Sequence, residues 1–331
     1  MSDAPASVQM GQRVRITTFI MRWLMPICLV LMALGFAAVE PRILSEANLL
    51  NIATQASYLV VFAAAQMVVI LTRGFDLSLG MCVSSVSVLV ALIMTGIVEA
   101  NPESLALAIF LSVCAGIVFG ALVGAFNGFC VSVLHVNPFI ATLGTLNICY
   151  GIASTISGGR PVFGVPREFS NLVYSGEVFG ISAPIIIAAA ILIIIHLILT
   201  RTVFGRGFYI LGSNPQAAKV AGLPSRLYLT YAYVICSVLA AVGAMLLTAR
   251  TGSGEPNLGG NITLESIAAA VIGGVSLRGG IGGVPAVLLG AVFVTVLSNG
   301  MNLTRIDGNV QMIVLGCVVI AAVFVDRIRT K

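Results

Sequence analysis

Residues 104–159 read SLALAIFLSVCAGIVFGALVGAFNGFCVSVLHVNPFIATLGTLNICYGIASTISGG, and none of these 56 residues is charged at neutral pH. A soluble fold cannot easily hide so long an uncharged run, because a globular surface needs charged and polar side chains. A helix that crosses a membrane, by contrast, needs about 20 consecutive apolar residues. The stretch therefore predicts a polytopic membrane protein.

The composition of the whole chain agrees with this prediction. Of its 331 residues, 59% are hydrophobic and 9% are charged, whereas a soluble domain carries about 25% charged residues. No hydrophilic block is large enough to form a separate soluble domain. The basic excess behind the net charge of +5 lies at a few loops and both termini. That pattern suits orientation in a membrane and argues against nucleic-acid binding.

Hydrophobic runs separated by charged breaks predict an all-α fold with about ten transmembrane helices. The segment 127–157 exceeds one straight crossing and contains Pro138, which lacks an amide hydrogen. We expect it to be broken or re-entrant and to count once. The eighth crossing is short and runs into the glycine-rich LRGGIGG of residues 277–283. The predicted crossings are 23–39, 49–72, 77–98, 105–126, 127–157, 183–200, 227–249, 266–277, 284–303 and 310–325.

Ten crossings place both termini on one side of the membrane. Basic loops face the cytoplasm, and the termini and the basic segment 201–226 would then all lie on that side. The chain is accordingly divided into a cytoplasmic N-terminal tail (1–22), a single transmembrane domain (23–326) and a cytoplasmic C-terminal tail (327–331).

The segment 201–226, RTVFGRGFYILGSNPQAAKVAGLPSR, is the longest basic interval between hydrophobic runs and contains no acid. It predicts a miniature helix with both ends marked. Ser213 or Asn214 can cap its N-terminus, and Pro215 suits its first position. Gly222 fits the left-handed conformation after the last turn. So short a helix is marginal alone in water, so we expect it to lean on another surface.

The sequence contains no pattern that supports catalysis or metal binding. It lacks the GxxxxGK[ST] motif that binds nucleotide phosphates, and it lacks the GxSxG and HExxH motifs of hydrolases. Its seven cysteines lie in apolar stretches without CxxC spacing, and His135 and His196 have no third ligand placed by the sequence. We expect a protein that is not an enzyme and binds no metal.

Glycines recur at every fourth position at 116, 120, 124 and 128. On a helix they form one stripe, which lets another helix backbone approach closely. The stripe predicts tight helix packing.

Polar side chains within the predicted crossings have two possible roles. Buried amides need partners, so they either join helices by hydrogen bonds or line a weakly polar route for a neutral solute. Asp76 lies beside Arg73, three residues away, and can cap the next helix or contact a substrate. Carboxylates are too few for an obvious ion relay. The polar residues are Gln55, Gln66, Asn127, Asn137, Thr142, Asn147 and Asn299.

From about residue 48 to residue 325, the chain resembles the permease subunits of bacterial ABC importers for monosaccharides, of the ribose-transporter type. Two blocks are specific: GRGFYILGSNPQAAKVAGL at 205–223 and ESIAAAVIGGVSLRGG at 265–280. Further matching blocks are GFDLSLG at 74–80, NPFIATLGT at 137–145, SNGMNL at 298–303 and QMIVLGCVVIAAVFVD at 311–326.

The resemblance implies an ABC importer permease fold in the bacterial inner membrane, with ATP and Mg²⁺ bound by a partner and no cofactor on this chain. The implied partners are a second permease subunit, identical or not, a cytoplasmic ABC ATPase and a periplasmic sugar-binding protein. The block at 205–223 looks like the segment that docks on the ATPase, although a basic loop could also serve only to orient the chain.

The candidate residues for coupling to the ATPase are Gly205, Arg206, Asn214, Ala217, Ala218, Lys219, Ala221 and Gly222. The candidates for the translocation path are Gln66, Asp76, Ser78, Asn137, Phe139, Thr142, Asn147, Ser276 and Asn299. Two alternative functions remain: a permease of the branched-chain amino-acid type, and a secondary transporter driven by an ion gradient.

Overall fold

The structure is a computed structural model that describes Trp23 and residues 25–329. The expected N-terminal tail, 1–22, lies outside the described residues, as do residues 330–331 of the expected C-terminal tail. Seven of the described helices are long and apolar enough to cross a membrane, and three shorter apolar helical stretches, Met25–Val39, Ile262–Gly273 and Gly308–Phe324, accompany them. This count confirms the prediction of an all-α polytopic membrane protein.

The helices, in chain order, are α1 Met25–Val39, α2 Glu46–Leu71, α3 Leu79–Ala100, α4 Leu105–Ser132, α5 Pro138–Ser157, α6 Arg167–Ser170, α7 Ala183–Arg201, α8 Val203–Ser213, α9 Pro215–Val220, α10 Ser225–Thr251, α11 Ile262–Gly273, α12 Val284–Leu303 and α13 Gly308–Arg329. Short 3₁₀ turns cover Pro41–Leu44 and Pro102–Ser104, and a π turn covers Asn171–Ser175. Four two-residue strands, β1 Val162–Phe163, β2 Glu177–Val178, β3 Ile181–Ser182 and β4 Ser253–Gly254, form two antiparallel ribbons, β1 with β4 and β2 with β3.

Helix α2 forms the centre of the bundle. It packs against α7, α10, α11 and α12, and almost all of its second half is buried. Its sequence is apolar on every side, as expected of a helix that other helices surround. Helices α4, α5 and α7 lie at the periphery, where they turn many large apolar side chains away from the chain.

The glycine stripe of α4 packs against the antiparallel helix α10, which confirms the predicted tight packing. A Cβ built on Gly120 would lie 2.6 Å from the Ser237 carbonyl oxygen, and one on Gly128 would lie 2.6 Å from the Thr230 Cα. One on Gly124 would overlap the Tyr233 carbonyl oxygen. The two backbones are therefore in direct contact.

The prediction that 127–157 forms one broken segment is wrong. Residues 127–132 complete α4, residues 133–137 form a turn, and Pro138 begins the regular 20-residue helix α5. Pro138 occupies the first turn, where a missing amide hydrogen costs nothing, and the Asn137 side chain accepts a hydrogen bond from the Phe139 amide at 2.9 Å. The proline starts a helix instead of interrupting one.

The irregular crossing lies instead at residues 252–261, just before α11. Gly254 lies beside Ala91 of α3, and Gly259 lies beside Gly80 at the start of α3. The segment therefore runs along α3 from residue 91 to residue 80, a distance of about 17 Å at the rise of an α-helix. Helix α11 has only 12 residues, about 18 Å of helix against a hydrocarbon core of about 30 Å. The non-helical segment and the short helix together are long enough for one crossing.

Serines on α3 bind the backbone of this irregular segment. The Gly259 amide donates to Ser84 Oγ at 2.9 Å, and the Glu255 amide donates to Ser87 Oγ at 3.3 Å. Non-helical backbone is tolerated at membrane depth only where protein or a wet cavity supplies such partners. The serines of α3 therefore allow the chain to re-enter the bundle without a helix.

Replacing Gly124 with alanine is expected to destabilise the protein. The added methyl group meets α10 backbone that cannot move aside, and overpacking of this kind costs about 1–3 kcal/mol. The matched control is Gly96→Ala on α3, where a Cβ meets nothing within 4 Å. Thermal unfolding in detergent should show a lower Tm for Gly124→Ala than for Gly96→Ala. Equal melting temperatures would contradict the close contact.

Candidate functional site

The predicted miniature helix exists as α9. Asn214 precedes it, and its side chain accepts a hydrogen bond from the Ala217 amide at 3.0 Å. Pro215 occupies the first position, and Gly222 follows the last turn with φ +71°, a conformation that favours glycine. Ser213 is not the cap, because it ends the preceding helix and its hydroxyl donates to the Ile210 carbonyl.

Helix α8 had no counterpart in the sequence prediction. Its three glycines disfavour a helix by propensity, but aromatic packing stabilises it: the Phe204 ring stacks on Tyr228 with a centroid separation of 5.2 Å and meets Phe208 edge-on at 4.8 Å. The signal was the spacing of Phe204, Phe208 and Leu211, which lie on one helix face.

The α8–α9 unit offers a surface that differs from the predicted one. Ala218 and Gly205 are buried within the chain, so neither can touch a partner directly. A Cβ on Gly205 would overlap the Ile198 carbonyl oxygen of α7, which makes this glycine a packing residue. The exposed predicted residues are Arg206, Asn214, Ala217, Lys219, Ala221 and Gly222.

Sequence reasoning missed Val220, whose side chain is 90% exposed at the end of α9. A large apolar side chain that projects beside Lys219 from a basic segment is typical of a surface that another protein covers. The signal was a valine within an otherwise small and polar helix.

Three backbone segments meet beneath α8 in what we call the glycine junction: residues 71–73, 212–213 and 279–280. The Gly280 amide donates to the Leu71 carbonyl oxygen at 2.9 Å. A Cβ on Gly212 would overlap that same carbonyl oxygen and would lie 2.5 Å from the Gly280 nitrogen. The junction joins the end of α2, the end of α8 and the turn between α11 and α12.

The Arg73 side chain stabilises the junction through hydrogen bonds. Its guanidinium donates to the Gly212 carbonyl oxygen at 2.5 Å and to the Ser213 carbonyl oxygen at 2.8 Å, two acceptors that an α-helix C-terminus leaves without partners. Arg73 itself has φ +66°, a conformation that costs a non-glycine residue about 1–3 kcal/mol. The surrounding contacts hold the turn in this strained form.

The second polar feature is the Asp76 cluster, formed by Gln66, Asp76, Ser78 and Asn127, all of which are buried. Asp76 Oδ1 accepts from the Ser78 amide at 2.9 Å and from the Ser78 hydroxyl at 2.5 Å. Asn127 Nδ2 donates to Ser78 Oγ at 2.8 Å. With its amide turned to satisfy both groups, Gln66 bonds to the backbone of Asp76 in both directions at 3.2 Å.

The Asp76 carboxyl has no cation beside it in the described part of the chain, and its Oδ2 has no nitrogen or oxygen donor there. Burial raises the pKa of this carboxyl above its usual value, while the hydrogen bonds from Ser78 act in the opposite direction. Burying a carboxyl group is costly unless hydrogen bonds compensate it, and Ser78 and Asn127 supply such bonds to Oδ1 only. The structure thus brings Gln66, Asp76 and Ser78 together and adds Asn127, which had been predicted only as a polar intramembrane residue.

The remaining path candidates lie elsewhere. On α5, Phe139 and Asn147 point away from the chain, as does the capping residue Asn137, whereas Thr142 is buried and its hydroxyl donates to the Pro138 carbonyl.

Two further candidates bond to other elements of the bundle. Asn299 exchanges two side-chain hydrogen bonds, of 2.9 and 3.0 Å, with Asn48 of α2. Ser276 donates to the Asp326 carboxylate at 3.2 Å. The nine predicted path residues therefore do not line one channel within this chain.

Removing the Arg73 side chain is expected to loosen α8 and α9 without unfolding the bundle. Alanine also carries a Cβ, so the strain at φ +66° is unchanged while two charge-assisted bonds are lost. A loss of about 1.4 kcal/mol, within the usual range for such bonds, would speed amide exchange about tenfold. Hydrogen–deuterium exchange of residues 203–220 measures this change.

Arg206→Ala is the control, because no hydrogen bond of that exposed side chain is found among the described residues. Exchange in residues 203–220 that is as slow in Arg73→Ala as in Arg206→Ala would show that the guanidinium does not hold the helix end.

The fold and the site define a multi-pass helical membrane protein whose core is joined to a capped helix pair at one end, as in a transport subunit. Residues 48–323 match the family described as branched-chain amino acid transport system / permease component. Because the match covers most of the chain, the chain belongs to this family and is a transport permease component.

Three relatives show the similarity in more detail. The chain is 35% identical to the galactose/methyl galactoside import permease protein MglC of Escherichia coli (strain K12), over 88% of this chain and 89% of that protein. It is 32% identical to the D-allose transport system permease protein AlsC of the same strain, over 89% and 88%. It is 33% identical to the ribose import permease protein RbsC of Haemophilus influenzae, over 91% of each.

These relatives confirm the resemblance to sugar importer permeases. No solved structure matches the chain.

Proposed function

We propose that this chain is the membrane-spanning subunit of an ATP-driven importer that carries a monosaccharide, ribose or a similar sugar, across the bacterial inner membrane. The observation that carries the proposal is the α8–α9 unit, a separately capped helix pair that exposes Val220 and Lys219 and is joined to the bundle core through the glycine junction. The printed names of the relatives support a sugar as the substrate class.

In the proposed complex, a cytoplasmic ABC ATPase binds ATP and Mg²⁺ and docks on α9. The sequence has no phosphate-binding loop of its own, so in this proposal the partner supplies the chemical energy. A periplasmic binding protein delivers the sugar, and a second permease subunit, identical or not, completes the membrane part. In this proposal both tails, 1–22 and 327–331, flank the single transmembrane domain on the cytoplasmic side, which the positive-inside rule favours for the basic segment 201–226.

The junction accounts for the transmission of movement. Closure of the ATPase displaces α9, and Arg73 carries the displacement into the turn between α2 and α3. Gly280 carries it into the turn between α11 and α12. A partner can shift a protein between two states only through contacts that differ between those states, and α9 supplies such contacts.

Changing Val220 to aspartate is expected to abolish docking of the ATPase without unfolding the permease. The side chain is 90% exposed, so the fold loses little, whereas a carboxylate removes an apolar contact and neutralises the basic surface. Co-purification of the ATPase and its stimulation by the loaded binding protein should both fall by about tenfold or more, the size of an interface hot spot.

The matched control is Val178→Asp, on an exposed strand at the opposite end of the bundle. Full co-purification with Val220→Asp would refute docking on α9.

Uptake assays decide the substrate class. Cells that express the chain with its partners should accumulate labelled ribose, galactose or allose, and should not accumulate leucine. Uptake of leucine and of no sugar would favour the branched-chain amino-acid alternative, which the description of the family keeps open.

The Asp76 cluster tests the alternative of an ion-driven secondary transporter. Asparagine has the shape of the protonated acid, so Asp76→Asn keeps most of the hydrogen bonds of the cluster. Sugar uptake by Asp76→Asn should stay close to that of the unaltered chain and should not respond to dissipation of ion gradients. Loss of uptake in a variant that inserts at normal levels would instead assign a carboxylate-dependent coupling to Asp76.

A further inference from the structure

Three adjacent cavities that share lining residues lie at the end of the bundle opposite α8 and α9, between α2, α10, α11, α12 and α13. Their volumes are about 660, 210 and 850 Å³, and the two larger ones fall in the range of small-molecule sites, about 300–1,000 Å³. Glu265, in the first turn of α11, lines all three. We call this space the vestibule.

The vestibule reaches deep into the bundle because the crossing before α11 is not a full helix. Helix α11 begins beside the N-terminal end of α3, where Thr263 Oγ1 accepts from the Gly80 amide at 2.9 Å. Glu265 lies in the same first turn of α11 and lines the vestibule together with Arg250 of the last turn of α10. The extended segment 252–261 leaves the volume that a complete helix would fill.

Two polar groups in the deep part of the vestibule are left without partners. The Tyr58 side chain is 4% exposed, and its hydroxyl forms no hydrogen bond in the described part of the chain. The partly exposed Glu265 side chain forms no hydrogen bond or ion pair among the described residues, whereas its backbone amide donates to the Asn261 carbonyl oxygen. Buried polar groups in native proteins are normally hydrogen-bonded, so the Tyr58 hydroxyl lacks a partner from the described part of the chain. The partly exposed Glu265 carboxyl is available to accept hydrogen bonds from a molecule in the vestibule.

The other groups that line this part of the vestibule indicate which kind of molecule would bind there. The Arg250 guanidinium lies 5.7 Å from the centre of the Tyr58 ring, so the deep part combines one acidic and one basic side chain. Gln55 and Ser298 add an amide and a hydroxyl, and Phe62 adds an apolar wall. Carboxylate, phenol, amide and guanidinium groups around an apolar wall suit a neutral molecule with many hydroxyls and a C–H face.

We propose that the vestibule is a sugar-binding site of the permease itself, in which Glu265 and Tyr58 bind hydroxyl groups of a monosaccharide released into the bundle. This inference rests on the proposed function. Glu265 accepts hydrogen bonds from two hydroxyls, and the Tyr58 hydroxyl donates to or accepts from a third group. Arg250 packs on the Tyr58 ring and holds it in place.

The test uses the complete transporter, with its ATPase and binding protein, reconstituted in proteoliposomes. Uptake of labelled ribose, galactose and allose by the unaltered chain first identifies the sugar, and absence of uptake for all three would refute the proposed function itself. With the sugar identified, Tyr58→Phe and Glu265→Gln each remove one hydrogen-bonding function and change little volume. The matched controls are Tyr150→Phe and Glu99→Gln, both exposed outside the vestibule.

The deciding quantity is the number of ATP molecules hydrolysed for each sugar transported. Sugar uptake by Tyr58→Phe and Glu265→Gln should fall about tenfold relative to the controls, as for the loss of a bond to a charged or buried group. ATP hydrolysis stimulated by the loaded binding protein should persist, because α9 and the junction are intact. The number of ATP molecules hydrolysed for each sugar transported then rises about tenfold.

Two outcomes would overturn the proposal while leaving the importer function standing. Uptake equal to that of the controls would show that neither side chain binds the sugar. A parallel loss of uptake and of stimulated ATP hydrolysis, at normal insertion, would show that the vestibule supports assembly or docking and does not bind sugar.

Discussion

The rest of the structure depends on backbone contact at the glycine junction, where the ends of α2 and α8 and the turn after α11 touch without side chains between them. Gly212 leaves room for the Leu71 carbonyl oxygen, and Gly280 bonds to that oxygen. Side chains can change rotamer when a neighbour moves, whereas backbone in direct contact must move with it. A displacement of α8 is therefore transmitted to the membrane helices at the junction with little absorbed by side-chain rearrangement.

A second constraint is that every backbone polar group inside a membrane needs a partner. The chain meets it in two ways. Most crossings are helices, which satisfy their own backbone, whereas residues 252–261 are served by serines of α3. The irregular crossing is what leaves the vestibule open, so the serines of α3 support the cavity although Ser84 and Ser87 do not line it.

The sequence predicts those features that depend on near neighbours. Helix α9 follows from its own cap, proline and final glycine, and the stripe on α4 follows from a four-residue period. Both were found as predicted because the residues that determine them lie within one or two turns.

The features that depend on distant residues were not predictable in this way. Pro138 was read as a break because a proline is equally compatible with the start of a helix. The end of α8 depends on Arg73, 139 residues away from its acceptor Gly212. Glu265 gave no signal as a site residue, because its role depends on a cavity formed by five separate helices. Tertiary packing also overrides propensity in α8, where aromatic contacts outweigh three glycines.

Helix α2 links the vestibule, the Asp76 turn and the glycine junction along one axis. Tyr58 lies in the vestibule, Gln66 holds the Asp76 turn, and Leu71 ends the helix in the junction. At the rise of an α-helix, the first interval is about 12 Å and the second about 8 Å. Because α2 is buried on all sides in its second half, it can shift only together with α10, α11 and α12, which surround it. A movement imposed at Leu71 must then change the walls of the vestibule. Coupling between two sites is reciprocal. A sugar that binds more tightly to one shape of the vestibule must therefore shift the position of α9 in turn.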